Sequence, residues 1–281
     1  MLGNDPRGFS LGEVYALLHP WRSHHFDIKC ACGVYPCPVW ERLLPLREKD
    51  LYARLFDTLD LDLIVDSSKR LTWVIDQNIR ISRIPGIRCR NIVLYKDPTS
   101  LYYSYWKRGL SEIERIPGLY GYYRRAIRAG LPMVAVNYDW FVANVHAALA
   151  LLCEVIEIPY FEEKSIFWGK VHHHLFGSFG TRKQLFERPD AAVYQERFDD
   201  EFERKRPEFE RRLAADPGLA STLELLRQRD IRTIGGYPSA GRRRLRRPWF
   251  YYRDRIEEIR RSRHPEPYPD LESSLIREWR R

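Results

Sequence analysis

Apolar positions follow two spacings along this chain. Short runs of strand formers occur at 61–65 (Leu61-Asp62-Leu63-Ile64-Val65), at 91–95 and at 132–138. Between them apolar residues recur every three or four positions among charges. That spacing predicts helices over 11–18, over 41–59 (Leu43, Leu44, Leu51, Leu55, Phe56), and from 71 onward (Leu71, Trp73, Val74, Ile75). It also predicts an aromatic-rich helical stretch over 99–129, divided at Pro117-Gly118, and an apolar-striped helix over 141–156. A highly charged helix is expected over 195–213, interrupted or ended near Pro207. Strand and helix alternate three times, the pattern of an α/β fold with a parallel sheet and crossover helices. Such sheets bind ligands at the carboxyl ends of their strands, and Lys69 and Lys96 both fall at such ends.

The second junction carries the most chemistry. Ile92-Val93-Leu94-Tyr95 runs into Lys96, then Asp97-Pro98, which reads as an N-cap carboxylate followed by proline in the first turn. A cation beside a helix N-terminus suits an anionic phosphate. Ser104 returns to nearly the same helix face roughly 10 Å further along, so Lys96 would reach one side of a phosphate and Ser104 the other. Taken alone, the segment reads first as a buried strand before a capped helix.

Composition narrows the classes. The 281 residues are 30% charged and 14% aromatic, and no run approaches the length of a membrane span. The first residues lack a signal-peptide layout, so a cytoplasmic protein is expected. Of the net charge of +9, the stretch 241–281 contributes +6, densest at Arg242–Arg247. That block is a candidate polyanion contact, with a solvated terminal segment as the simpler reading. Cys30, Cys32 and Cys37 cluster with His24 and His25 nearby. The Cys-x-Cys-x4-Cys spacing is not a usual zinc knuckle and has no second pair, so the thiols read as fixing a loop and no metal is expected.

Four segments in order resemble the PAPS-dependent sulfotransferases, bacterial and carbohydrate-type members in particular, where PAPS is 3′-phosphoadenosine 5′-phosphosulfate. They are Phe9-Ser10-Leu11-Gly12-Glu13 with the Cys30 to Trp40 stretch; Asp66-Ser67-Ser68-Lys69; Lys96-Asp97-Pro98 with Ser104; and the loop of His173, Gly177, Ser178 and Arg182. The resemblance covers about 1–190. It implies a three-layer parallel sheet of the P-loop nucleotide-hydrolase-like type over 1–190, with a helical, Arg-rich C-terminal region over 191–281. It implies sulfuryl transfer from PAPS to a hydroxyl of a saccharide, glycolipid or small metabolite. Lys96, Ser104, Ser67, Ser68, Gly177, Ser178 and Arg182 are then the donor-binding residues, Glu13 the general base and Lys69 the stabiliser of leaving-group charge. His172, His173 and His174 orient the loop, and Tyr138 and Asp139 match a structural pair after a strand.

The chain departs from that pattern in three ways. Lys96 stands where the family has Arg, which loses a bidentate fork. Ser178 stands for Asn, with one extra residue before Arg182. The strand and Gly-rich loop that hold the 5′-phosphosulfate are not in the sequence, and Met1 to Pro6 reads as the end of the helix that follows them. About 20 or more residues are therefore expected upstream, from a start placed too far downstream or, alternatively, in a truncated and inactive copy. The competing function is a non-catalytic, polyanion-binding protein of the same fold.

Overall fold

The computed structural model describes residues 1–110, 112–176, 198–238 and 247–263. Along the chain the elements are β1 (Gly8–Gly12), α1 (Val14–Leu18), α2 (Pro38–Leu43), α3 (Leu51–Leu59), β2 (Leu63–Asp66), α4 (Leu71–Ile81), β3 (Asn91–Tyr95), α5 (Pro98–Trp106) and α6 (Arg115–Arg128). They continue with β4 (Met133–Asn137), α7 (Tyr138–Ala143), α8 (Val145–Ile156), α9 (Asp200–Ala214), α10 (Pro217–Arg227) and α11 (Trp249–Arg263). The fold is mixed α/β with small parallel sheets. The single parallel sheet expected from the strand–helix alternation is not what the described residues form. Their strands make two separate parallel pairs, β1–β2 and β3–β4. β1 carries little sequence signal, because Phe9 to Gly12 is too short and too rich in glycine and serine to stand out.

The chain divides into two compact units, residues 1–87 with 166–189 and 247–281, and residues 88–165 with 190–246. In the first, β1 pairs with β2 from Gly8 opposite Leu63, and the register shifts between Ser10 and Gly12. Leu11, Val14, Trp40, Leu43, Leu55 and Trp73 form its core. Helix α11 is tied to α4 by polar bonds: Thr72 donates to Glu258 at 2.6 Å, and the Tyr251 hydroxyl donates to the buried Asp76 carboxylate at 2.5 Å. Leu44 is extended, as a residue before proline prefers, so the helix expected over 41–59 is two helices with a turn at Leu44-Pro45.

In the second unit β3 and β4 pair in register, Asn91 opposite Met133 through Tyr95 opposite Asn137. All five β4 residues are buried. Ala135 also exchanges backbone hydrogen bonds with Arg229 and Ile231, at 2.8 and 3.0 Å, so β4 is paired on both edges. Helix α5 packs on α9 and α6 on α10. Tyr102, Tyr120, Phe202, Phe209 and Leu226 fill the core between them.

Two proline readings are corrected. Pro117 does not divide the helical stretch. It is the third residue of α6, where no amide partner is required, and the break lies instead between Trp106 and Arg115. Pro207 does not end α9, which runs from Asp200 to Ala214. Pro207 is exposed, while Phe202, Phe209 and Leu213 bury the opposite face and offset the lost hydrogen bond. The helix expected over 141–156 starts earlier, at Tyr138, and is divided at Asn144.

Candidate functional site

At the end of β2, Asp66 is a hub. Its carboxylate accepts from the Tyr52 hydroxyl at 2.7 Å, the Trp73 indole N–H at 2.9 Å and the Ser68 N–H at 2.8 Å. The Ser68 hydroxyl accepts from the Tyr15 N–H at 3.0 Å, in the first turn of α1. It therefore supports α1 rather than α4, the helix that follows it in sequence. The Ser67 N–H donates to Gly12 O at 2.8 Å, and Ser67 itself is exposed. Lys69 Nζ meets Glu13 Oε1 at 2.5 Å, with Lys69 76% and Glu13 20% exposed. The structure thus brings both proposed catalytic groups into contact. A pair this open contributes about 0–1 kcal/mol to stability.

Glu13 is held by its backbone. Its N–H donates to Leu175 O at 3.0 Å, and the Leu175 N–H donates to Leu11 O at 3.0 Å. This close approach explains Gly12: its φ is +68°, and a Cβ there would lie 1.9 Å from Leu175 O.

The segment that bears Leu175 also carries His173. Cys30 Sγ, Cys32 Sγ, Cys37 Sγ and a ring nitrogen of His173 all lie within 4.8 Å of one another. His173 Nδ1 is 3.3 Å from Cys37 Sγ and 3.7 Å from Cys30 Sγ. The Trp40 indole N–H donates to His173 O at 2.6 Å, and the Phe9 ring lies parallel to the imidazole. None of the cysteines is in a disulfide. Burial pushes the Cys30 thiol far above its usual range and lowers His173, with the Lys170 charge acting in the same direction on the imidazole. His24 and His25, the histidines near in sequence, do not join the group. His25 Nδ1 accepts from the Trp21 and Arg22 N–H groups at 3.2 and 3.3 Å.

In the second unit, Lys96 leaves the end of β3. Its Nζ donates to Ser104 Oγ at 2.9 Å and sits 4.8 Å from the centre of the Tyr138 ring. Lys96 and Ser104 were expected to approach a phosphate from opposite sides; they touch directly instead. The Tyr120 hydroxyl donates to Lys96 O. Asp97 occupies the N-cap of α5, but its carboxylate makes no capping bond. The Asp97 N–H donates to Asp139 Oδ2 at 3.0 Å. Burial, joined by the Asp97 charge and opposed by that hydrogen bond, raises the Asp139 carboxyl. Asp139 thus braces the start of α5.

Gly177, Ser178 and Arg182 lie outside the described residues, as do Arg242, Arg243, Arg244 and Arg246 of the basic block. Arg247 is described, and its guanidinium binds Asp76 Oδ1 at 2.7 and 2.9 Å. An open cleft of about 530 Å³ is lined by Lys49, Arg80, Arg83 and Arg247 with Ile79 and Ile84, and by none of the expected catalytic or donor-binding residues.

Sequence reasoning missed three groups. Asp66 lay inside a motif already singled out, yet its hub role depends on Tyr52 and Trp73 folding back onto it. Asp230, 1% exposed, accepts from the Tyr95 hydroxyl at 3.1 Å and from Arg232 at 2.7 Å, far from any motif. His173 carried no signal of meeting cysteines 136 positions earlier. Compared with family models, curated proteins and solved structures, the chain gives no match.

Proposed function

We propose that the chain is a sulfotransferase that moves a sulfuryl group from PAPS to a hydroxyl of a saccharide, glycolipid or small metabolite. The observation that carries this reading is the Lys96–Ser104 pair, an ammonium and a hydroxyl bonded at 2.9 Å where a parallel strand enters a helix. Lys96 and Ser104 hold the donor's 3′-phosphate, joined by Gly177, Ser178 and Arg182 as the resemblance implies. Charge-assisted hydrogen bonds of this kind contribute about 1.5–3 kcal/mol each. Ser67 and Ser68 lie beside the donor through their hydroxyls: Ser68 Oγ accepts the Tyr15 N–H and keeps its own proton to donate, whereas the Ser68 backbone N–H is taken by Asp66.

Glu13 and Lys69 act on the reacting atoms. The acceptor oxygen bonds to sulfur as the bond from sulfur to the 5′-phosphate oxygen breaks. The electron pair stays on that oxygen, where Lys69 stabilises it. The hydroxyl proton goes to Glu13. Sulfuryl transfer resembles phosphoryl transfer in needing positioning and charge stabilisation more than covalent work by the protein.

The test is calorimetry with adenosine 3′,5′-bisphosphate. The protein should bind it, and Lys96→Ala should weaken binding about 10–100-fold, the loss of one charged hydrogen bond. No binding by the folded protein overturns the reading. Retention on heparin without nucleotide binding would favour the polyanion-binding alternative.

A further inference from the structure

We propose that Cys30, Cys32, Cys37 and Nδ1 of His173 form a closed tetrahedral zinc site that pins residues 172–176 against β1. The site stands whether or not the chain transfers a sulfuryl group, because its geometry and donor chemistry involve neither Lys96 nor Lys69.

The distances fit the metal. Zinc binds thiolate sulfur at about 2.3 Å and imidazole nitrogen at about 2.0–2.1 Å, so ligands at tetrahedral corners lie about 3.5–3.8 Å apart. His173 Nδ1 is 3.3 and 3.7 Å from two of the sulfurs, and the four donor atoms all fall within 4.8 Å of each other. Small adjustments of side-chain torsions are enough to bring them onto one ion.

The chemistry fits as well. Three thiolates and an imidazole are a soft donor set that selects zinc over hard cations. Four protein donors leave no open position, which marks a structural centre rather than a catalytic one. Binding displaces the three thiol protons to solvent and involves no change of oxidation state. The supports are already in place. Ala31 N–H donates to His174 O at 3.0 Å, so the cysteine loop and the histidine segment are joined by backbone beside the donors. The Trp40 indole holds the His173 carbonyl, and Phe9 lies along the ring. Cys37 and Trp40 belong to the buried apolar cluster of this unit, and Cys30, Cys32 and Phe9 pack against it, surroundings that would slow exchange of a bound ion.

Such a centre closes a loop of 136 positions between Cys37 and His173. It also fixes Leu175, whose carbonyl accepts the Glu13 N–H.

The test is metal analysis of the full-length protein purified under reducing conditions. It should carry about one equivalent of zinc per chain, and His173→Ala should fall below about a tenth of an equivalent. His173→Cys should retain zinc, since a fourth thiolate replaces the imidazole. In case His173→Ala does not fold, wild-type protein stripped by a chelator is titrated with Co²⁺. Stoichiometric binding with a thiolate-to-cobalt charge-transfer band and tetrahedral ligand-field bands is the expected result. Folded, reduced wild-type protein that holds no zinc and gives no such bands overturns the proposal. Iron in place of zinc, or loss of two of these thiols to a disulfide in the metal-free chain, also overturns it.

Discussion

Each parallel strand pair leads into a lysine, Lys96 directly after β3 and Lys69 three residues after β2, and the two are held in different ways. β3–β4 is in register, and its inner strand is buried at every position and paired on both edges. Lys96 leaves it half-buried, bonded to the Ser104 hydroxyl and lying beside the Tyr138 ring. β1–β2 carries a register shift, β2 is only half-buried, and Lys69 stands exposed on the Glu13 carboxylate. The same local grammar, a short strand leading through a cation into a helix, thus yields two different settings for a lysine. In the proposed sulfotransferase, a lysine oriented by a hydroxyl and a ring face, with the Asp139 charge nearby, holds the donor's phosphate. A lysine paired with a carboxylate brings a proton acceptor and a positive charge to one spot.

The largest expected effect tests that division directly. Glu13→Gln should lower sulfuryl transfer by about 10²–10⁴-fold, the usual contribution of a general base, and leave adenosine 3′,5′-bisphosphate affinity unchanged. Turnover is followed as release of the bisphosphate from the donor in the presence of a panel of hydroxyl acceptors. Lost affinity with unchanged turnover would break the comparison.

Next comes Gly12→Ala. The new Cβ meets Leu175 O at 1.9 Å on a residue with φ +68°, so the first unit should lose about 2–4 kcal/mol in chemical denaturation. A change below the error of that measurement would mean that the Leu175 bridge does not hold Glu13.

Acid should also separate the units. Burial lowers His25 to about 4, with His24, Arg22 and Arg70 adding to the shift. The unfolded imidazole takes its proton near pH 6.5, so this contribution is whole above about 6.5 and is lost as the pH falls towards 4. Asp230 behaves differently. Burial alone would raise its carboxyl, but hydrogen bonds and charge from Arg232 outweigh burial and leave it lowered. Its contribution is whole above the unfolded value of about 3.9 and is lost only below that. Hydrogen exchange resolved by peptide and corrected for intrinsic rates should show protection around His25 falling at milder acidity than protection around Asp230. The reverse order would sink the assignment.

The smallest effect is a gain. Gly121 lies inside α6, and a Cβ placed there would have nothing within 4 Å, so Gly121→Ala should stabilise the second unit by about 0.5–1 kcal/mol. Denaturant midpoints of the two glycine variants, moving in opposite directions, would sharpen the contrast between a glycine required by a close approach and one that is merely tolerated.

Much of the secondary structure was legible because it is local. The strands at Leu63, Asn91 and Met133 and the helices at Leu71 and Pro98 follow from apolar spacing, strand formers and proline position. Pro117 and Pro207 misled because a proline's effect depends on its place in the turn and on which face is buried. The candidate residues were nameable from their motifs, but their bonds were not. Ser68 supports α1, and the Asp97 N–H donates to Asp139 while the Asp97 carboxylate caps nothing, because chain segments far apart in sequence supply the partners.

By itself the sequence determined the alternation of strands and helices, the two lysines that follow strands and the thiol cluster, since each is written in neighbouring residues. Tertiary structure alone decided that β1 joins β2, that Glu13 meets Lys69 and that His173 completes a set of four donors. Those contacts span 56 and 136 positions. Backbone pairing and burial, rather than local propensity, determine which distant residues come together.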